Sequence, residues 1–274
     1  MLAEQVDRLG MDTNEAGWVI AWVMECYEKG MLSKQDTGGL EMTWGNHEAV
    51  KAMLNRIAHR EGFGNILAEG VMRAARHIGG EAINLAIFTQ KGNTPRSHDH
   101  RAQWFELLDT CVSNSGTIET HIMVPREMLG LPKRFDNFDH GDISSLVAKT
   151  KGVMEFEDSM VTCRYNTRMD MPLLCKAVNE ATGWDLSVEE GMVIGRRAIN
   201  LMRAFNLRHG IGPQLDAPSV KYGSELVDGP YQGKNIMLHW SEMLRNYYAL
   251  MGWDEMGRPL PDTLKSLGLE NVIL

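Results

Sequence analysis

The stretch Asp12-Thr13-Asn14-Glu15-Ala16-Gly17-Trp18-Val19-Ile20-Ala21-Trp22-Val23-Met24-Glu25-Cys26-Tyr27-Glu28-Lys29-Gly30 holds a start signal, a buried face and a stop in one run. Asp12 to Glu15 offer side-chain acceptors and negative charge to a first helical turn. Val19, Ile20, Val23, Met24 and Tyr27 then fall on one stripe at helical spacing, and Gly30 ends it. The same period continues in both directions. Leu2, Val6 and Leu9 mark a helix before it. After a polar turn at 33–39, Val50, Met53, Leu54 and Ile57 face inward from a helix near 47–60. Residues 66–78 read as another helix, closed by Gly79-Gly80, and 84–89 as a short strand.

A passage rich in Gly, Pro, His and Asp at 91–101 is a candidate boundary or functional loop. Beyond it, helices are expected near 102–111, 143–156, 171–182, 188–205, 235–251 and 262–267. Residues 117–141 and 210–233 are irregular, and no internal repeat or low-complexity tract interrupts the pattern. The expected class is mainly α, with helical domains at 1–93 and 94–274.

Composition narrows the function. The chain has 274 residues, 43% hydrophobic and 23% charged, enough for a sizeable core. Its formal net charge is −8 and no Lys/Arg run occurs, which argues against nucleic acid or an anionic membrane surface as partner. No apolar run approaches the roughly 20 residues of a membrane span. Met1-Leu2-Ala3-Glu4-Gln5 lacks a basic region before an apolar one, so no secretory signal is expected and the cytoplasm is the expected location. Cys26, Cys111, Cys163 and Cys175 lie far apart and form no CxxC pair, which excludes a disulfide framework and disfavours a self-contained zinc site. The 19 methionines read as adaptable core filler.

Two pieces resemble each other: Asp36-Thr37-Gly38-Gly39-Leu40-Glu41 and Asp158-Ser159-Met160-Val161-Thr162-Cys163. An Asp with free amides in such a turn can hold polar ring atoms or an anion. Two unrelated helix-boundary turns would look the same. Cys163 reads either as a small buried hydrophobe or as a thiolate beside Arg164 and Tyr165. As an iron–sulfur ligand it would need three others from outside this chain. His98-Asp99-His100-Arg101 offers metal ligands or a polar knot that satisfies loop backbone. His121 is a natural proton carrier if its stretch lines a pocket, and otherwise a capping or core histidine. Glu15 is by default a first-turn charge, and the acidic residues from Asp136 to Asp142 a solvated loop.

Taken together, Gly10-Met11-Asp12-Thr13, Met24 to Gly30, Asp36 to Leu40, Trp44-Gly45-Asn46, Arg60 to Gly64 and Leu67 to Gly70 follow one another as in aldehyde:ferredoxin oxidoreductases. Lys91-Gly92, His98-Asp99, Arg101, Ser113-Asn114 and Asp158 to Cys163 continue the resemblance. So do Asn200-Leu201, Arg203, Phe205-Asn206, Arg208, Gly210, Tyr247-Tyr248 and Gly252-Trp253-Asp254. The resemblance spans essentially the whole chain. It implies the two helical carboxy-terminal domains of a three-domain enzyme, without its β-rich first domain and upstream CxxCxxxC.

It further implies a tungsten (or molybdenum) bis-pterin and a 4Fe-4S cluster. Asp36, Gly39 and Leu40 would contact one pterin, Asp158 and Thr162 the other, and Cys163 would be the fourth cluster ligand. His121 and Glu15 would move protons near the metal. The implied partners are the amino-terminal pterin-binding domain and ferredoxin or an iron–sulfur electron-transfer subunit. The implied reaction oxidises an aldehyde to a carboxylic acid. Val-Thr-Cys in place of the usual Gly-Leu-Cys, His98 to Arg101, and the stretch from Trp104 to Asn114 are closer to the tungsten subunit of class II benzoyl-coenzyme A reductases. That branch would act on an aromatic acyl-CoA, with Cys111 or Cys26 near the metal. A non-catalytic helical scaffold and a plain metal-binding module built on His98, Asp99 and His100 are the rival classes.

Overall fold

The computed structural model describes residues 2–120, 125–167 and 170–272, with the backbone alone for Arg164. Two compact units emerge. The first comprises Met1–Asp99 and Ala217–Ser224, the second His100–Asp216 and Glu225–Leu274. The first unit is therefore not one contiguous segment: a strap from the long Gly-, Pro- and Asp-rich loop completes it.

In the first unit, α1 (Leu2–Arg8), α2 (Thr13–Glu28), α3 (His47–His59), α4 (Phe63–Leu67) and α5 (Val71–Ile78) surround one apolar core. Asp12 caps α2, accepting from the Glu15 amide at 2.7 Å. The stripe read from sequence is buried: Val19, Ile20, Val23 and Met24 pack with Met53, Leu54, Val71 and Ala74. Trp22 is buried beside them and its indole N–H donates to the Ala82 carbonyl at 2.8 Å.

Two expectations are corrected here. The single helix expected at 66–78 is two: α4 closes at Leu67, and Gly70, at φ +86°, turns the chain into the start of α5. The strand expected at 84–89 is a 3₁₀ turn, Gly80–Leu85, followed by extended chain with one isolated bridge, Thr89 to Pro218. A strand needs a ladder, and the strap offers only short pairing. Ser219 provides it, its amide donating to the Phe88 carbonyl at 2.8 Å and its hydroxyl to that of Ala86 at 2.7 Å.

The second unit contains α6 (Trp104–Val112), α7 (His140–Thr150), α8 (Val153–Ser159), α9 (Arg164–Thr167), α10 (Met171–Thr182), α11 (Val188–Arg208), α12 (Trp240–Met251) and α13 (Pro261–Ser266). Ser187 and Glu190 form a capping box at the start of α11. The single helix expected at 143–156 breaks at Gly152, which has φ +102°. A Cβ there would lie 2.8 Å from the Arg196 amide nitrogen and the Met192 carbonyl oxygen of α11. A Cβ on Gly195 would collide with the Gly152 carbonyl in return. The two glycines let the α7–α8 corner and α11 touch backbone to backbone.

α8, α10 and α11 enclose a small core of Val153, Met154, Phe156, Met171, Leu174, Cys175 and Met192. Further along α11, Arg203 is fully buried. It pairs with Asp216 at 2.9 Å, donates to the Gly257 carbonyl at 2.8 Å and lies over the Trp253 ring. Tyr248 donates to the same Asp216, and the Trp253 indole donates to Asn200 at 2.8 Å. Asn200, Arg203, Tyr248 and Trp253, all quoted above as resemblance residues, thus form one buried polar knot that ties α11 to α12. No helix among the described residues is long and apolar enough to cross a membrane.

Candidate functional site

The first Asp-led turn is built around its own hydrogen bonds. The Asp36 carboxylate accepts from the Ser33 hydroxyl and the Ser33 amide, both at 2.7 Å, and these bonds hold its pKa below the usual carboxylate range. The buried Thr37 hydroxyl donates to the Leu40 carbonyl at 2.6 Å. Arg56 reaches over from α3 and donates to the carbonyls of Thr37 (2.9 Å) and Gly38 (3.2 Å). Gly38 and Gly39 take φ +65° and +91°. A Cβ on Gly38 would meet Arg56 at 2.6 Å, whereas one on Gly39 would meet nothing within 4 Å. The turn is a braced loop whose Gly39 face is open.

The second Asp-led turn begins in the last turn of α8. The Val161 amide donates to the Asp158 carbonyl at 3.0 Å, and Val161 takes φ +55°. The fourth position of each piece is therefore left-handed, filled by Gly39 in one and by a β-branched residue in the other. That conformation costs Val161 about 1–2 kcal/mol. Cys163 follows, and its carbonyl accepts the Asn166 amide at 2.7 Å to start α9.

Cys163 is exposed, whereas Cys26, Cys111 and Cys175 are buried. Val161 is 96% exposed and Tyr165 78%. Free cysteine is among the most buried residue types, so an exposed one set among exposed apolar side chains calls for a partner. The donor set fits the implied groups at this level. A thiol stands clear of the protein, and an exposed carboxylate opens each turn.

Glu15 is half-buried and borders a cavity of about 230 Å³ with Met11, Ala16, Val19, Ile57 and Leu67. Both carboxylate oxygens are engaged: Oε1 accepts the Val71 amide at 2.6 Å and Oε2 the Thr94 hydroxyl at 2.8 Å. Glu15 thus caps the start of α5 from another helix, and a Cβ on Gly70 would approach it to 2.8 Å. His121 lies outside the described residues.

The segment that leads to His121 is pinned by a network the sequence reading did not isolate. Lys151 is fully buried and contacts Asp109 Oδ1 and Glu119 Oε2, each at 2.6 Å. Asp109 Oδ2 accepts the amides of Glu119 (2.8 Å) and Thr120 (2.9 Å). Glu119 Oε1 accepts the amides of Asn114 (2.7 Å) and Ser115 (2.8 Å) and the Ser113 hydroxyl (3.0 Å). Burial works against the Lys151 ammonium, but the two carboxylates outweigh it and hold its pKa well above the ordinary value. Burial likewise opposes the Glu119 carboxylate, and Lys151 together with the amide donors wins, leaving its pKa lowered.

Glu155 stands near this triad and accepts the Gly152 amide at 3.1 Å. Burial first, then the charge of Glu119, pushes its pKa up to about 8. The signal for the network was Asp109, a carboxylate between Leu107, Leu108 and Cys111 in a mostly apolar helix that also carries Glu106.

In the His98 to Arg101 loop, His98 and Asp99 are exposed. His100 is buried with its Nε2 3.1 Å from the Glu106 carboxylate.

Two helical units, each with an Asp-led left-handed turn, one of them closing on an exposed cysteine, define the class to which the chain is compared. The family model "Aldehyde ferredoxin oxidoreductase, domains 2 & 3" matches residues 1–269, and the chain belongs to that family. It is 34% identical over 280 residues to the tungsten-containing aldehyde ferredoxin oxidoreductase of Pyrococcus abyssi. It is 34% identical over 277 residues to that of Pyrococcus horikoshii. The alignments cover 97% and 96% of this chain but 44% of each relative, so the chain spans less than half the length of the curated relatives it matches. A solved structure, the active site complex BamBC of benzoyl coenzyme A reductase with 1,5-dienoyl-CoA, shares the fold. Its TM-score is 0.73 at 24% identity, over 96% of this chain and 44% of that one.

Proposed function

We infer that this chain forms the two helical domains of a tungsten- (or molybdenum-) bis-pterin, iron–sulfur oxidoreductase that oxidises aldehydes to carboxylic acids and delivers the electrons to ferredoxin. The observation that carries the reading is Cys163, an exposed thiol at the end of an Asp-led left-handed turn, in a chain matched by the family model along nearly its whole length. A domain preceding the helical part would supply the pterin base and the other three cluster ligands.

The metallopterin and the cluster would supply two-electron acceptance and one-electron transfer chemistry when bound. This chain's residues hold and orient. The Cys163 thiolate would bond one iron. The Asp36 and Asp158 carboxylates, the Thr162 hydroxyl and the backbone of Gly39 and Leu40 would hydrogen-bond polar pterin atoms. His121 and Glu15 would hold and move the protons released as water adds to the carbonyl carbon. For Glu15 that means trading its bond to Thr94 or Val71 for a proton.

The likeness to the benzoyl coenzyme A reductase complex supports a second reading, the tungsten subunit of a reductase acting on an aromatic acyl-CoA. That reading would bring Cys111 or Cys26 near the metal, and both thiols are buried.

Anaerobic co-expression with the preceding domain, followed by metal analysis, tests the inference. The expected preparation holds tungsten or molybdenum together with iron, and reduces ferredoxin on addition of an aldehyde. Cys163→Ser should remove the cluster's electron paramagnetic resonance signal while tungsten stays bound. A preparation free of both metals, or a Cys163→Ser variant with an intact cluster, overturns it. Dearomatising activity on an acyl-CoA without aldehyde oxidation selects the second reading.

A further inference from the structure

α7 and α12 lie side by side in the second unit, and both begin with histidine chemistry. His140 is the first residue of α7, His239 caps α12, and Glu242 sits in the first turn of α12. The Ser144 hydroxyl donates to the His140 carbonyl at 2.7 Å and to the Met243 carbonyl at 3.2 Å, which fixes the register of the two helices. The imidazoles of His140 and His239 stack with centroids 4.6 Å apart and planes 4° from parallel. His140 Nε2 lies 3.3 Å from a Glu242 carboxylate oxygen. One ligand atom from each of the three residues lies within 4.8 Å of the others.

The geometry points to a binding site for a zinc-type divalent cation held by His140, His239 and Glu242, which shares no residue with the Asp-led turns or Cys163. Two imidazoles and a carboxylate are the ligand set of open tetrahedral zinc sites, with water in the fourth position. Three such ligands around zinc stand about 3.3 Å from one another, from bond lengths of about 2.0–2.1 Å. The atoms need to close by at most about 1.5 Å, within reach of side-chain rotation. Both rings must turn out of their stack so that their lone pairs converge.

The surroundings favour this. Trp104 packs against His239 with centroids 5.8 Å apart and also against Phe138, giving the site an apolar wall. The exposed Asp139 and the half-buried Asp142, beside and in the first turn of α7, offset the positive helix starts that would otherwise repel a cation. Part-exposure of His140 and Glu242 leaves an entry path. Once bound, the cation would clamp the starts of α7 and α12 together.

Cobalt(II) titration of the full 274-residue chain, followed by zinc displacement, tests the site. The expected result is the visible absorption of four-coordinate cobalt, saturating at one equivalent for this site, without a thiolate-to-cobalt charge-transfer band. Zinc should bleach it and raise the melting temperature. His239→Ala should abolish the signal. Glu242→Gln, a change at an exposed side chain that leaves the fold intact, should weaken binding roughly tenfold or more. Cobalt absorption that persists unchanged in both variants, absorption with thiolate character, or no absorption at millimolar cobalt overturns the proposal. If His239→Ala fails to fold, the Glu242→Gln titration decides alone.

Discussion

Replacing Lys151 with methionine removes a charge without removing much volume, and its cost follows from what it leaves behind. Lys151 is fully buried and pairs with two carboxylates at 2.6 Å each. Without it, Asp109 and Glu119 keep their amide donors but lose their cation, and two like charges face each other in a low-dielectric core. Removing one partner of a buried ion pair costs about 3–5 kcal/mol. That is a large share of the roughly 5–15 kcal/mol that holds a domain folded. The loss should shrink as pH falls, because an orphaned buried carboxylate can take a proton in place of the cation. Urea unfolding followed by circular dichroism at pH 7.5 and pH 5.5 reads both effects. Lys34→Met is the control. Its ion pair with Glu41 is nearly as short, 2.7 Å, but both partners are more than half exposed, so its loss should leave the midpoint almost unmoved. Equal midpoints for wild type and Lys151→Met at pH 7.5, or a Lys151→Met penalty that does not change with pH, refute the reasoning.

Glu155 gives the opposite pH signature. Its pKa rises from 4.5 to about 8 on folding, so the folded state holds the proton where the unfolded state has lost it. Its contribution is fully present below pH 4.5 and is lost as pH rises through about 8. Glu155→Gln should flatten this decline and stabilise the protein above pH 8 by a few kcal/mol, about 1.4 per pKa unit discounted for relaxation, as measured by denaturant midpoints across pH. Val161→Gly should raise the melting temperature, since relieving about 1–2 kcal/mol of left-handed strain outweighs the added freedom of the unfolded chain. An unchanged or lower melting temperature counts against strain at Val161.

Several helices were legible because they carry their own punctuation. Asp12 before α2, Ser187 before α11 and Gly183 after α10 announce ends that the structure keeps. The breaks inside 66–78 and 143–156 were not legible, although Gly70 and Gly152 stood in plain view. A glycine within an apolar period signals a break only when something must approach it closely, and those neighbours, Glu15 and α11, are remote in sequence. The site divides along the same line. The two Asp-led turns are local and could be paired from sequence. The Lys151 triad joins residues 32 and 42 positions apart, so no local pattern announces it. The role of Glu15 as the cap of α5 is likewise set 56 residues downstream.

The contact between Gly152 and Gly195 has a mechanical consequence for the cysteine. α8 leaves that corner as a rod of seven residues, about 10 Å long, and the Cys163 turn is attached to its far end. The corner is the fulcrum of a short lever. A tilt of about 6° there, the kind of shift one extra methyl group would force, carries the far end through about 1 Å. Two absent side chains thereby calibrate where the Cys163 sulfur stands.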